Sequence, residues 1–186
     1  GAYSGPFYSL VDELAKHPTF IKLCPVGKRL VQRGEREELV LRYLAYSERY
    51  RDFRHDVKDF LNQYIKHKNA AYRETKVSAK VDMDGKKAGF FKMLSFVSHF
   101  FPYGFGKTPK ATTTPRVRFE AISVGVHLAL EANPSLVPND VDWLRSKEFK
   151  THVTTHGSNS APRLRSRIEY VKNKVDPSVK TDVIRV

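Results

Sequence analysis

Apolar residues recur along most of this chain at intervals of three and four, the spacing that gathers them on one face of an α-helix. Over residues 6–16 the face is Phe7, Leu10, Val11 and Leu14, and Pro18 ends the run because proline disfavours the helical conformation in the residue before it. Residues 18–34 hold Pro18, Pro25, Gly27 and Gly34, and this density of breakers predicts a loop with a short turn of structure. The clearest helical pattern covers residues 35–50. Glu35, Glu37 and Glu38 set acid at the positive end of the helix dipole, while Leu39, Val40, Tyr43, Leu44, Ser47 and Tyr50 share a face. Val57, Phe60, Leu61, Tyr64 and Ile65 carry the next helix, and the short linker at 51–54 predicts a helical hairpin.

Residues 70–81 are more polar and weakly periodic. They either continue that helix or bridge to the next, and Gly85 and Gly89 weaken a helical reading beyond them. Phe90, Phe91, Leu94, Val97, Phe100 and Phe101 form a broad apolar face that Pro102 closes, and residues 102–115 are a loop rich in Gly, Pro and Thr. Thr114-Pro115 predicts a helix start, with Thr as the cap and Pro in the first helical position. Residues 117–130 are apolar nearly all round, the character of a helix at the centre of a bundle, and Asn133-Pro134 ends them. Asn139 is a candidate cap for a helix bearing Val141, Trp143, Leu144 and Phe149. Residues 151–160 are small and polar, and Pro162 opens a last helix with Leu164, Ile168, Val171 and Val175 on one side. Asp176-Pro177 breaks it, leaving a tail at 178–186 that is either frayed or paired as a short strand. Strand-like alternation is scarce, so the pattern predicts an all-α fold, an irregular bundle of about seven helices. It reads as one helical domain over residues 1–186, with a hairpin region at 1–68, aromatic-rich core helices at 69–132, and C-terminal helices with a basic stripe at 133–186.

At 186 residues such a bundle buries enough surface to hold without covalent staples. The single cysteine, Cys24, rules out an internal disulfide and a four-cysteine zinc site; a packed thiol in a reducing cytoplasm is the expectation. No apolar run reaches the length of a membrane span, since Lys92, Ser95, Ser98 and His99 interrupt the Phe-rich residues 90–105. The chain opens on Gly1-Ala2-Tyr3-Ser4-Gly5-Pro6-Phe7 without an initiator Met, which reads as part of a longer protein. Charge changes the picture most. Lys and Arg number 33 against 20 acids, a formal net charge of +13. Such an excess attracts polyanions, so contact with nucleic acid or phosphate is expected; the competing reading is a solvated surface that only keeps the domain soluble.

Most apparent motifs fail on spacing. Gly104-Phe105-Gly106-Lys107-Thr108 resembles the end of a phosphate-binding loop, but Phe101 stands where the first glycine belongs, an aromatic helix precedes it instead of a strand, and Pro109 follows. Asp82-Met83-Asp84-Gly85 lacks the calcium-loop spacing and its closing Glu. His152 and His156 sit four apart with no third ligand nearby, which favours two surface histidines. No nucleophile, base and orienting group fall together.

Two features remain. Thr154, Thr155, Gly157, Ser158, Asn159 and Ser160 precede the last helix, where hydroxyls and free backbone N–H groups attract anions. Arg163, Arg167, Tyr170 and Lys174 repeat along that helix on what reads as its face opposite the apolar one, so a phosphate at the helix start would have a basic stripe beside it. Ordinary capping with a solvated basic face is the equal alternative. The second feature is Arg116-Val117-Arg118-Phe119-Glu120, which puts Arg118 and Glu120 at the mouth of the most buried helix; a structural ion pair, Glu120 with an arginine or with another helix, is the expectation.

The order and spacing of Glu38-Leu39-Val40-Leu41-Arg42-Tyr43-Leu44-Ala45-Tyr46, Asp59-Phe60-Leu61-Asn62, Arg118-Phe119-Glu120-Ala121-Ile122-Ser123-Val124, and Ser158-Asn159-Ser160 with residues 163–171 carry a resemblance, and Tyr3-Ser4-Gly5-Pro6-Phe7 fits ahead of them. Together they resemble the helical portion that follows the ParB-like (sulfiredoxin-like) domain in GmrSD-type proteins of bacteria and archaea. The resemblance implies a nucleotide-dependent nuclease system that restricts modified phage DNA. The family's catalytic Asp-Gly-Gln-Gln-Arg-like segment belongs to the preceding domain and has no counterpart here, and an HNH nuclease domain is absent, so no catalytic residue is carried over. The implied role is a cytoplasmic, non-catalytic accessory domain with no cofactor of its own, nucleotide and divalent metal belonging to the parent protein. Its implied partners are DNA or a nucleotide-bearing N-terminal domain, with no membrane. A purely structural scaffold docking through residues 90–105, and donation of Arg163 and Arg167 to a neighbour's phosphates, are the alternatives.

Overall fold

A computed structural model describes residues 3–178, and the expectation for the tail after residue 178 falls outside them. Among the described residues the chain is all α-helical, with no strand and nine α-helices. They are α1 (Pro6–Ala15), α2 (Pro18–Leu23), α3 (Lys28–Gln32), α4 (Glu35–Arg49), α5 (Val57–Glu74), α6 (Lys76–Phe100), α7 (Arg116–Ala132), α8 (Lys147–His152) and α9 (Ala161–Val175). Short 3-10 turns at Tyr50–Asp52 and Asp142–Arg145 join α4 to α5 and lead into α8.

The bundle is organised around α7, in which every residue from 117 to 126 is buried. The helix packs most closely on α9 and also on α4 and α6. The contact with α9 depends on Gly125: a Cβ there would lie 2.6 Å from Cβ of Val171 and 2.9 Å from the carbonyl oxygen of Ile168. A glycine at this point lets two helices approach more closely than any side chain permits. On the other side of α4, α1 lies against α4 and α5. Asn69 of α5 fixes the start of α1, accepting from the Phe7 N–H at 2.9 Å and donating to the Ser4 carbonyl at 2.7 Å.

Several boundaries differ from the sequence reading. Residues 18–34 are two short helices, α2 and α3, because Pro18 falls at a helix start, where its missing N–H costs nothing, and His17 Nδ1 accepts from the Thr19 N–H at 3.2 Å. Residues 70–81 do both things expected of them. Residues 70–74 finish α5, and α6 begins at Lys76 after a corner at Thr75, whose hydroxyl accepts from the Ser78 N–H at 3.0 Å. The helix α6 then runs unbroken for 25 residues through both glycines. Pro115, not Thr114, is the cap of α7, because the Thr114 hydroxyl donates to the Pro25 carbonyl at 3.0 Å. Asn139 caps nothing; Ser146 caps α8, its Oγ 3.0 Å from the Phe149 N–H.

The loop between α6 and α7 is anchored, and this matters for the site below. Phe105 is fully buried against Phe119, ring centroids 5.0 Å apart, and its N–H donates to the Leu23 carbonyl at 2.9 Å. Gly104 makes the turn with φ of +59°, and a Cβ there would meet the Leu23 carbonyl oxygen at 2.6 Å. No helix is long and apolar enough to cross a membrane among the described residues.

Candidate functional site: a cationic cleft beside a buried ion-pair triad

The first turns of α7 carry Arg118 and Glu120, and the fold sends them to different partners. Glu120 is 1% exposed. One carboxylate oxygen accepts from Arg42 of α4 at 2.7 Å and the other from Arg167 of α9 at 2.8 Å. Arg42 also reaches Glu38 at 3.1 Å, and Arg167 donates to the Ser158 carbonyl at 2.9 Å. This Arg–Glu–Arg triad ties the three central helices together. Burial works against the Arg42 cation, and Glu120 more than reverses that, leaving the guanidinium harder to deprotonate than usual. The ion pair of Glu120 is therefore with Arg42 and Arg167, not with Arg118.

Arg167 also corrects the basic stripe. It is 3% exposed and belongs to the triad, so Arg163, Arg167 and Lys174 do not form one solvent-facing row. The physical reason is in the spacing: position 167 is three after Leu164 and four before Val171, on the core side of α9. Arg163 and Lys174 are exposed. The loop ahead of α9 divides as well. Ser160 caps the helix itself, accepting from the Arg163 N–H at 3.4 Å; Gly157 turns with φ of +62°; and the Ser158 hydroxyl lies 3.4 Å from Asn159. Only Thr154 and Thr155 face the cleft described next.

That cleft, about 690 Å³, lies between the α6–α7 loop, the start of α7, the turn at Asp142–Arg145 and the end of α8. Lys107, Arg118, Arg145 and Lys150 supply four cations to its lining, Thr108, Thr154 and Thr155 supply hydroxyls, and no carboxylate lines it. Its floor is Arg118, 5% exposed. Arg118 Nε donates to the Phe105 carbonyl at 2.8 Å and Nη2 to the Gly106 carbonyl at 3.2 Å, while the guanidinium sits 5.3 Å above the centre of the Phe149 ring. No acid pairs with it among the described residues, and burial pushes its pKa down to about 10. It is still a cation near neutral pH, held in a low-dielectric position with dipoles and a ring face but no counter-charge. Asp142 lines an adjoining hollow of about 160 Å³ and pairs at 3.2 Å with Arg145, both side chains well exposed.

Lys107, Thr108, Arg145 and Lys150 were not singled out by sequence reasoning. Lys107 and Thr108 belong to the Gly104–Thr108 segment whose spacing excludes a phosphate loop, and the structure shows a turn after a helix there, not a strand-to-helix junction. The available signal was weaker than a motif: basic and hydroxyl residues in loops flanking a buried, charged helix start.

A second polar cluster spans α4, α5, α6 and α7. His127 Nδ1 lies 2.7 Å from the Tyr43 hydroxyl and Nε2 lies 2.9 Å from Glu131. Nearby, Lys68 and Lys86 sit between Glu48 and Asp82 at 2.8 to 3.7 Å. Glu48 and Asp82 balance Lys68 and Lys86, and the cluster reads as a cross-brace. Among the described residues no group of three or more His, Cys, Asp or Glu is placed to hold a metal ion. His152 bonds the Ser166 hydroxyl at 2.9 Å and packs on Tyr170. Compared with known proteins, the chain matches no family model, no curated protein and no solved structure.

Proposed function

We propose that this chain is a helical accessory domain of a prokaryotic, modification-dependent restriction or phage-defence protein of the GmrSD type, and that it acts by contacting the phosphates of DNA. The family part of this reading rests on the sequence resemblance. The contact with DNA is supported by one observation above the others: the cleft over Arg118 is lined by four cations and no acid, only Arg145 of them pairing with a carboxylate among the described residues, in a chain of net charge +13. The domain supplies binding and no chemistry of its own; nucleotide and divalent metal belong to the preceding domain of the parent protein.

Docking through the aromatic face is narrowed to Phe91, Phe100 and Tyr103, because Phe101 is 3% exposed and packs on Trp143 at 5.9 Å. Arginine donation is narrowed to Arg163, since Arg167 is committed to Glu120.

Duplex DNA titrated across a salt series tests the proposal. Binding is expected to weaken linearly on logarithmic axes, with a slope near −0.9 for each phosphate neutralised. Absence of any salt-sensitive binding at low ionic strength would overturn it.

A further inference from the structure

We infer that the cleft floored by Arg118 is a phosphoryl-binding site, in which one phosphate group enters and seats on the Arg118 guanidinium; this deepens the DNA-contact reading and rests on it only for the source of the phosphate. A buried arginine is expensive unless something offsets its charge, and in this fold two carbonyl oxygens and the Phe149 ring do so only in part. Among the described residues Arg118 Nη1 makes no hydrogen bond within the protein, and it is not among the atoms sealed from solvent without a partner. The side chain therefore keeps an unused donor and lines the cleft. Buried Arg167 has a carboxylate in Glu120; buried Arg118 has none among the described residues and lines a cavity.

The surroundings select the class of anion. Donors from three segments line it: Lys107 and Thr108 of the α6–α7 loop, Arg118 of α7, and Lys150 with Thr154 at the end of α8 and just after it. A single carboxylate offers two oxygens in a plane and one charge, which leaves most of these donors idle. A tetrahedral phosphoryl group offers oxygens in several directions and up to two charges, which fits donors on three walls. The cleft is far larger than one phosphate, and Pro115, Leu144 and Val153 give it apolar wall, so what enters carries an attached group. The shared chemistry is a phosphoryl group; its source is a nucleic-acid strand or a free polyphosphate.

The sole tryptophan, Trp143, is next in sequence to the cleft residue Leu144 and provides the readout. Tripolyphosphate, and duplex oligonucleotides with and without a 5′-phosphate, are titrated into the chain at low salt. Saturable fluorescence change is expected with tripolyphosphate. Because Arg118→Gln strips the Phe105 and Gly106 carbonyls of their donor and threatens folding, the decisive variant is Lys107→Ala/Lys150→Ala, both exposed positions. It should weaken binding about tenfold or more for two lost charge-assisted contacts, with an unchanged melting temperature. Tighter binding of the 5′-phosphorylated duplex marks a terminal phosphate as the natural source; equal binding of both duplexes, displaced by tripolyphosphate, marks the backbone. Absence of saturable tripolyphosphate binding, or binding undiminished in the double variant, overturns the site. The two proposals fail separately: salt-sensitive DNA binding that ignores the double variant ends the cleft and spares the DNA reading, while tripolyphosphate binding without DNA binding does the reverse.

Discussion

At the scale of single residues, charge and burial decide what each group can do. Glu120 bridges two buried guanidinium groups, so Glu120→Ala leaves Arg167 in the core without a carboxylate and Arg42 with Glu38 alone. The expected loss is about 3–5 kcal/mol, read as a lowered midpoint in urea unfolding, since breaking a buried pair costs far more than the pair is worth. A midpoint shift no larger than that of a surface Glu→Ala control would show that the triad is solvated. Cys24 makes the opposite kind of statement. It is fully buried, and burial pushes its thiol up to about 12. Only the thiolate reacts readily, so a disulfide reagent at pH 8 should leave Cys24 untouched in native protein and label it rapidly in denaturant. Fast labelling of the native state would mean that the α2 region opens.

At the scale of elements, the α7–α9 contact carries the C-terminal half, and Gly125 is its tightest point. Gly125→Ala drives a methyl to within 2.6 Å of Val171, which the close-packed pair accommodates only by separating the helices. A destabilisation of about 1–3 kcal/mol is expected despite the higher helix propensity of alanine. A neutral or stabilising result, as propensity alone predicts, would show slack in the interface. Gly85 is the control, because nothing lies within 4 Å of a Cβ there and Gly85→Ala should stabilise α6.

At the scale of the whole molecule, the cross-brace of α4 to α7 links stability to pH. Burial alone would raise the Glu48 and Asp82 carboxyls. Hydrogen bonds from Lys68 and Tyr64 to Glu48, and from Lys86 and Tyr72 to Asp82, reverse that and hold both below their ordinary values of 4.5 and 3.8. A carboxyl lowered on folding contributes stability above its unfolded value and loses it as pH falls through its folded value. His127 adds a step at higher pH. Burial lowers it below 6.5 against the pull of Glu131, so the unfolded chain takes up the proton first. Its contribution is complete above pH 6.5 and declines as pH drops toward the folded value. Urea midpoints should therefore be flat between about pH 7 and 8, fall below 6.5, and fall again below about 4.5. His127→Phe should remove the upper step alone; persistence of that step would assign it to another histidine.

The sequence by itself determined the class of fold, because a repeat of three and four is a local property that the α-helix converts directly into a buried face. It also showed that α7 is central, since a segment apolar all round has no face left for water. Tertiary structure decided the fate of individual charges. Arg163 and Arg167 have the same side chain four residues apart on one helix, yet α9 turns the second into the core, where Glu120 waits on α7. Arg118 and Glu120 are two residues apart and face different neighbours, one the Phe105 and Gly106 carbonyls, the other two arginines. The cleft itself joins residues 107, 118, 150 and 154, which no periodicity connects and only the packing of their segments brings to one place. A charge count measures how many cations a chain has; the packing of helices settles which remain free to meet an anion.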